Sequence, residues 1–145
     1  MAASSATREA MKLVVRRFYD DIWNKFDVGP VNELISPSVT FRGTLEHDTT
    51  DRDGFKRYVR EIEAAFPDFH QRIDEMYVDG DRCIARMHWS ATHTRDFREY
   101  KATHRRFEYL GVGIFKIING QIQDVWAVGD THGMFKVISV GKEGH

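Results

Sequence analysis

The sequence predicts an α+β fold, in which three N-terminal helices pack on the concave face of a curved antiparallel sheet and form a cone. Over the first half of the chain, apolar residues recur at three- and four-residue spacing, which is typical of amphipathic helices. The second half carries alternating and β-branched segments separated by turn signals, which indicates a strand meander. Helices followed by strands is the element order of an α+β domain.

Length and composition predict one soluble domain, residues 1–145, with an ordered core at about 8–138 and short flexible ends. The net charge of −1 favours neither a nucleic-acid partner nor an anionic membrane surface. The single cysteine, Cys83, excludes an intrachain disulfide and fits a reducing compartment. No apolar run approaches the roughly 20 residues of a membrane span. We therefore expect a cytoplasmic protein.

The helices are predicted from their apolar stripes. The first covers residues 8–26, and a short second helix, 30–35, begins at Pro30, a residue suited to a first helical turn. The third runs from Asp53, a plausible N-cap, to Phe66. The apolar positions of the first and third helices are Met11, Val14, Val15, Phe18, Ile22 and Phe26, and then Phe55, Tyr58, Val59, Ile62 and Phe66.

The strands are predicted from alternation and turns. A short strand at 39–41 precedes strands at 69–78 and 82–94, which are joined by a turn at Asp79-Gly80. A charged connection, 95–106, leads to the last hairpin, and a final helical turn is expected at 131–138. One face of the 82–94 strand carries Cys83, Ala85, Met87, Trp89, Ala91 and His93.

The last hairpin predicts which side chains share a face of the sheet. Asn119-Gly120 favours a two-residue type I′ turn, because both residues tolerate positive φ. Regular pairing beyond this turn places Asp130 opposite Tyr109. Trp126 and Phe115 then lie on the same face as Asp130. Since the other members of this face are apolar, we expect it to line the interior.

Asp130 has two interpretations. A carboxyl group in an apolar interior is desolvated, which raises its pKa from a reference value of about 3.9 and suits a general base. Alternatively, Asp130 caps the helical turn that begins at Thr131. The two roles can coexist.

His93 also has two interpretations. It lies on the apolar face of its strand, where it is either a buried histidine bonded to a backbone carbonyl or a proton carrier or oxyanion donor in the pocket. His104 lies in the charged connection, where surface histidines are common.

The motif inventory predicts no metal and no cofactor. The chain has no HxH, HExxH or CxxC spacing for a metal ion. It also lacks the GxGxxG and GxxxxGK[ST] phosphate-binding patterns and the GxSxG nucleophile elbow.

Several short motifs follow one another in a recognisable order. They are Phe41-Arg42-Gly43, Ala65-Phe66-Pro67-Asp68, Thr92-His93-Thr94, and Asn119-Gly120-Gln121-Ile122-Gln123-Asp124-Val125-Trp126 followed by Gly129-Asp130. In this order the chain resembles the SnoaL-like polyketide cyclases, within the superfamily of nuclear transport factor and ketosteroid isomerase-like folds. The resemblance covers about residues 14–137.

The resemblance implies a cone-shaped α+β barrel, usually dimeric, with a deep apolar pocket and no metal or cofactor. It implies that Asp130 is the acid/base of an intramolecular aldol closure and that His93 reaches the pocket wall. The chain departs from the family after Thr94, where Arg95-Asp96 replaces the usual Gly-Glu, and at 102–105, where Pro-Thr-Gly is expected. His104, in this changed loop, adds a second candidate for proton transfer.

Two functions are consistent with these observations. The first is a cyclase or isomerase of secondary metabolism, in which Asp130 removes a proton α to a carbonyl, and His93, with Tyr109 or His104, donates to the enolate oxygen. The residues expected to bind a flat, apolar, polyketide-like substrate are Tyr109, Trp126, Trp89, Phe41, Phe115 and Met87. The alternative is a non-catalytic dimeric module that binds a ligand or acts as a scaffold.

Overall fold

The computed structural model describes residues 4–45 and 47–143, the last three of these by their backbone alone. The predicted α+β class is confirmed. The helices are α1 (Ser5–Arg17), a π-helical segment (Phe18–Trp23), α2 (Val31–Leu34), α3 (Arg52–Ala65) and α4 (His132–Glu143). The strands are β1 (Ile35–Arg42), β2 (Asp48–Thr49), β3 (His70–Asp79), β4 (Arg82–Thr92), β5 (Arg106–Ile118) and β6 (Gln121–Gly129).

All six strands form one sheet in the order β2-β1-β6-β5-β4-β3. The strands from β3 to β6 make the expected antiparallel meander. β1 instead lies parallel to β6, so the sheet is mixed, and within the described residues its two edge strands do not pair to close a barrel. This parallel pairing joins a strand from the first third of the chain to the last strand and brings residues 43–45 close to β6.

The first predicted helix divides into two parts. α1 begins after Ser4, whose hydroxyl accepts a hydrogen bond from the Thr7 amide at 3.1 Å. After Arg17 the backbone widens into the π-helical segment, which is an arrangement often found at functional sites. The wider turn directs four large side chains into the core: Phe18, Tyr19, Ile22 and Trp23.

α3 buries the apolar stripe that its sequence predicts, including Phe55 and Tyr58. Its N-cap is Asp51 rather than the predicted Asp53, since the Asp51 carboxylate accepts a hydrogen bond from the Gly54 amide at 2.7 Å. The predicted start of the helix is therefore two residues too late. The sequence pattern does not separate the two aspartates, because both precede the same apolar stripe.

The inner face of the sheet agrees with the predicted alternation of β4 and β5. The six predicted inward residues from Cys83 to His93, five on β4 and His93 just beyond its end, are all buried. On β5, Phe107, Tyr109, Phe115 and Ile117 are buried on the matching face.

The last hairpin has the predicted turn but not the predicted register. Asn119 and Gly120 have φ values of 52° and 77°, as a type I′ turn requires. Ile118 pairs with Gln121 as expected. The register then shifts, because Gln123 is an extra residue without a partner on β5, which makes a β-bulge.

The bulge reverses the faces of the rest of β6. Phe115 pairs with Val125 rather than Asp124, and Gly113 pairs with Ala127 rather than Trp126. Val125 and Ala127 are therefore buried on the inner face. The prediction that Trp126 lies inside is wrong: it is 43% exposed on the outer face.

The ends of the chain are helical as far as the structure describes them. Residues 5–7 belong to α1 and residues 139–143 to α4, where we expected flexible ends. Residues 1–3 and 144–145 lie outside the described part of the chain. Among the described helices, none combines the length and the apolar character that crossing a membrane requires.

Candidate functional site

A narrow aromatic cavity lies between the helices and the inner face of the sheet. Its volume is about 30 Å³, enough for a few water molecules, so it is much smaller than the deep pocket that we expected. The π-helical segment, α3, residues 43–45 and strands β1, β3, β4 and β6 supply its walls. The lining residues are Phe18, Tyr19, Trp23, Phe41, Gly43, Thr44, Leu45, Tyr58, Ile62, Phe69, Gln71, Trp89, Val125 and Ala127.

Edge-to-face ring contacts hold the cavity walls together. Phe55, behind the wall, packs against Phe41 at 5.0 Å and against Trp23 at 5.7 Å between ring centroids. Trp23 in turn contacts Tyr58 at 5.7 Å. Such contacts fix ring orientation beyond what burial of apolar area alone would do.

Two side-chain hydrogen bonds, one buried and one partly buried, hold polar side chains at the cavity. The Tyr109 hydroxyl lies 2.9 Å from Oγ1 of Thr44. The indole nitrogen of Trp89 donates to Oε1 of Gln71, also at 2.9 Å. These bonds connect the sheet to the 43–47 loop and β4 to β3, and they keep the polar groups satisfied in an apolar interior.

Two further tyrosines line the cavity with unused hydrogen-bonding capacity. Tyr19 and Tyr58 are only 2% and 4% exposed, and neither hydroxyl has a hydrogen-bond partner within residues 4–45 and 47–143. Burial raises the pKa of Tyr19, Tyr58 and Tyr109 well above the usual value. All three hydroxyls are therefore neutral donors at physiological pH.

Two glycines on β5 make room for the cavity side chains. A Cβ at Gly113 would lie 2.7 Å from the Tyr19 hydroxyl oxygen, and one at Gly111 would lie 2.7 Å from the Trp89 ring. Tyr19 and Trp89 fill this space, and Trp126 does not, because the bulge places Trp126 on the outer face.

Asp130 lies on the exposed side of the sheet. Its backbone amide donates to the Leu110 carbonyl at 2.8 Å, so it pairs with Leu110 and not with Tyr109, and the predicted inward orientation is wrong. Within the described chain its carboxylate has neither a hydrogen bond nor an ion pair. The expected capping bond to the start of α4 is therefore not formed either.

His93 is fully buried but does not line the cavity. Its Nδ1 lies 3.0 Å from Oγ1 of Thr103 and accepts from the Thr103 amide at 3.3 Å. Because a backbone amide can only donate, the neutral ring carries its proton on Nε2, which has no partner among the described residues. Burial lowers the pKa of His93. The Phe66 ring packs 5.7 Å away.

The remaining predicted site residues divide between cavity and surroundings. Trp89 and Phe41 line the cavity, and Tyr109 bonds to the lining residue Thr44. Phe115 and Met87 are fully buried without lining it. His104 is exposed, although its amide donates to the His93 carbonyl at 2.8 Å.

Several cavity residues were missed from the sequence. Tyr19 and Trp23 depend on the π-helical widening, which a 3.6-residue period cannot reveal. Thr44 and Leu45 lie in a loop without a pattern. Tyr58 carried a signal, since it belongs to the apolar stripe of α3.

No three His, Cys, Asp or Glu side chains within the described ranges lie close enough to share a metal ion. The polar side-chain groups of the residues that line the cavity are hydroxyls, one amide and two indole N–H groups, which suit an oxygen-bearing organic ligand better than a cation.

This arrangement of helices on a curved sheet defines the class of ketosteroid isomerase-like α+β folds. The chain belongs to the SnoaL-like polyketide cyclase family, whose model matches residues 13–138. A search of curated proteins found no match.

Solved structures share this fold. TsrD from Streptomyces laurentii aligns with a TM-score of 0.78 at 21% identity, covering 90% of this chain and 96% of TsrD. IdmH from Streptomyces antibioticus, a proposed polyketide cyclase, aligns at 0.77 and 22%, covering 90% and 99%. A protein of ketosteroid isomerase-like fold from Catenulispora acidiphila, in complex with trimethylamine, aligns at 0.76 and 11%, covering 90% and 95%.

Proposed function

We propose that the protein is an acid–base cyclase or isomerase that acts on a polyketide-derived carbonyl compound without a metal or cofactor. The reaction begins with removal of a proton α to a carbonyl. A C–H bond between two carbonyl groups is acidic enough for a side-chain base, so positioning and general acid–base catalysis of about 10²–10⁴-fold can suffice. Family membership supports the substrate class.

The observation that carries this proposal is that Tyr19 and Tyr58 both line an aromatic cavity and that neither hydroxyl has a partner among the described residues. A substrate carbonyl oxygen would accept a hydrogen bond from them. As the enolate forms, negative charge develops on that oxygen, and neutral donors in a dry cavity stabilise it without reorganising. The hydroxyl of Tyr109, already oriented by Thr44, is a third donor near the same cavity.

The proton carriers in this proposal are Asp130, His93 and His104. Asp130 follows Gly129, where a Cβ would lie 3.2 Å from the ring of Trp89, a cavity-lining residue, so the base is one residue from the cavity wall. The proposal requires the end of β6 to rotate so that the Asp130 carboxylate reaches the substrate. His93 would supply its Nε2 proton from beneath the 95–105 loop, and His104 would act from the surface of that loop.

The test is α-proton exchange of an aryl 1,3-diketone in D₂O, followed by NMR. Asp130→Asn should lower the enzyme-dependent exchange rate at least 100-fold, because a general base contributes roughly that much. Asp124→Asn is the matched control, since Asp124 is a carboxylate of the same strand that accepts a hydrogen bond from Thr40. Wild-type exchange in Asp130→Asn would exclude Asp130 as the base.

A second candidate function is a non-catalytic ligand-binding module. The small cavity and the outward Asp130 favour it, because a scaffold needs neither a large pocket nor an inward base. The same diketone distinguishes the two functions. A module would bind the probe, and the wild-type protein would leave its exchange rate at the solvent value.

We also propose that the protein is a homodimer that works in the cytoplasm. Leu110, Trp126 and Val128 project from the outer face of β5 and β6 and are 59%, 43% and 47% exposed. A cluster of this kind is typical of a protein interface. The free thiol of Cys83 supports a reducing compartment.

A further inference from the structure

A second, larger space adjoins the aromatic cavity. It is a groove of about 480 Å³ on the surface between α3 and the segment that follows β1. Unlike the cavity, its walls are polar. The lining residues are His47, Asp48, Thr49, Thr50, Asp51, Gly54, Arg57, Tyr58 and Glu61.

One side chain separates the two spaces. Tyr58 lines both the cavity and the groove. On the groove side, the His47 ring stacks on the Tyr58 ring at 4.4 Å between centroids, with 5° between the planes. The Tyr58–His47 stack is therefore the partition between an apolar and a polar compartment.

Among the described residues, few hydrogen bonds hold the segments on either side of His47. The Gly43 amide donates to the His47 carbonyl at 3.0 Å, and the Arg98 guanidinium donates to the Leu45 carbonyl at 3.2 Å. Nε of Arg98 also lies 3.6 Å from the Glu61 carboxylate. Of the contacts between described residues, displacing His47 breaks one backbone hydrogen bond and one ring stack, so the partition can open at modest cost.

The carboxylates of the groove already have partners. Asp51 accepts from the Gly54 amide at 2.7 Å, Asp48 lies 3.8 Å from the Arg42 guanidinium, and Glu61 pairs with Arg98.

The donors of the groove are less committed. Arg57 has no ion pair with any residue that the structure describes, and Thr50 presents an exposed hydroxyl. Counting Arg42 and Arg98, which pair with Asp48 and Glu61, the groove has as many guanidinium groups as carboxylates, so a charged ligand of either sign is not favoured. Donors and acceptors side by side suit hydroxyl groups, because each hydroxyl can both donate and accept.

We propose that the groove and the cavity are two compartments of one ligand site, and that the groove binds a neutral, polyhydroxylated tail of the ligand. The carbonyl-bearing aromatic head enters the cavity once the Tyr58–His47 stack opens. The two spaces together fall in the range of about 300–1,000 Å³ that is usual for small-molecule sites, which the cavity alone does not. The assignment of the head rests on the proposed function, and the assignment of the tail rests on the groove.

The test compares two fluorescent probes by titration: 2-acetylnaphthalene, and the same ketone bearing a trihydroxylated alkyl chain. The tail should tighten binding to the wild-type protein at least tenfold. Arg57→Met should remove most of that gain and leave the affinity for the short probe unchanged. Lys56→Met is the matched control, because Lys56 is the neighbouring cation on α3 but does not line the groove.

If the tail brings no gain in affinity, or if Arg57→Met weakens the binding of both probes equally, the groove assignment is wrong.

The partition is tested separately by stopped-flow binding of the short probe. His47→Ala should raise its association rate severalfold, and an unchanged rate would contradict the gate. Both experiments measure binding, so they test the groove and the partition even if the proton-exchange assay finds no catalysis. Conversely, the exchange assay tests catalysis even if the groove binds no tail.

Discussion

His93 is a fully buried imidazole whose Nε2 has no partner among the described residues. Its surroundings include the Asp96 carboxylate and the Tyr100 backbone, which favour the charged ring, and His104, which disfavours it. Desolvation is the largest influence and lowers the pKa of His93 below the reference of about 6.5. The folded state therefore prefers the neutral ring.

This preference predicts a pH dependence of stability. Below about pH 6.5 the unfolded state binds a proton at His93 that the folded state resists, so the free energy of unfolding falls as the pH decreases. His93→Gln cannot bind that proton, and its stability should fall less between pH 7 and pH 5. Urea unfolding of both proteins across this range checks it, with the exposed His70→Gln as control.

A constant stability difference between wild type and His93→Gln at every pH would contradict this prediction. The lost contact between His93 and Thr103 contributes only a constant offset, because a bond between neutral groups does not depend on pH.

Substitution of Gly111 tests how tightly Trp89 packs against the sheet. A Cβ at this position would lie 2.1 Å from the Val128 carbonyl oxygen and 2.7 Å from the Trp89 ring, so Gly111→Ala must displace backbone or indole. We expect it to lower the free energy of unfolding by about 3 kcal/mol or more.

Gly133→Ala is the matched substitution. Gly133 lies in α4, and a Cβ added there would meet nothing within 4 Å, so alanine should stabilise the protein by about 0.5–1 kcal/mol. Urea midpoints measure both effects. Equal midpoints for the two variants would mean that the close packing around Gly111 is not rigid.

At the scale of elements, local patterns were predictable and irregularities were not. The alternation of β4 identified all of its buried apolar residues, because a regular strand repeats every two residues. The turn at Asn119-Gly120 was predictable because its φ values are a local property. The bulge at Gln123 and the π-helical segment each change the period within an element, and no residue type signals either one.

These two irregularities account for most errors at the candidate site. Because of the bulge, Trp126 and Asp130 lie outside, where the sequence predicted them inside. Because of the π-helical segment, Tyr19 lies inside, where the sequence did not predict it. Phe41 and Trp89 were predicted correctly as cavity residues, since they depend on regular strands alone. The parallel pairing of β1 with β6 was missed because strand neighbours distant in sequence leave no local pattern.

At the scale of the whole molecule, the outer face of the sheet predicts the oligomeric state. Trp126 and Val128 are large, apolar and about half exposed beside Leu110, which favours burial against a second copy of the chain. Replacing both Trp126 and Val128 by lysine should convert a dimer to a folded monomer, because their side chains point away from the core. Sedimentation velocity and circular dichroism measure the two properties.

Tyr77→Lys is the control for this substitution, since Tyr77 is also half exposed but lies on the edge strand β3. It should remain a dimer. A wild-type protein that sediments as a monomer at micromolar concentration would contradict the dimer, and the apolar face would then need another explanation.

Gln123 has a consequence for how sequences of this kind diverge. Loss of its single codon would remove the bulge without changing any later pairing of β6, because Asp124 already pairs with Lys116 and Val125 already pairs with Phe115. Val125 and Ala127 would stay on the inner face, and Asp130 would stay outside. The strand can therefore gain or lose one residue at this position while the lining of its interior stays the same.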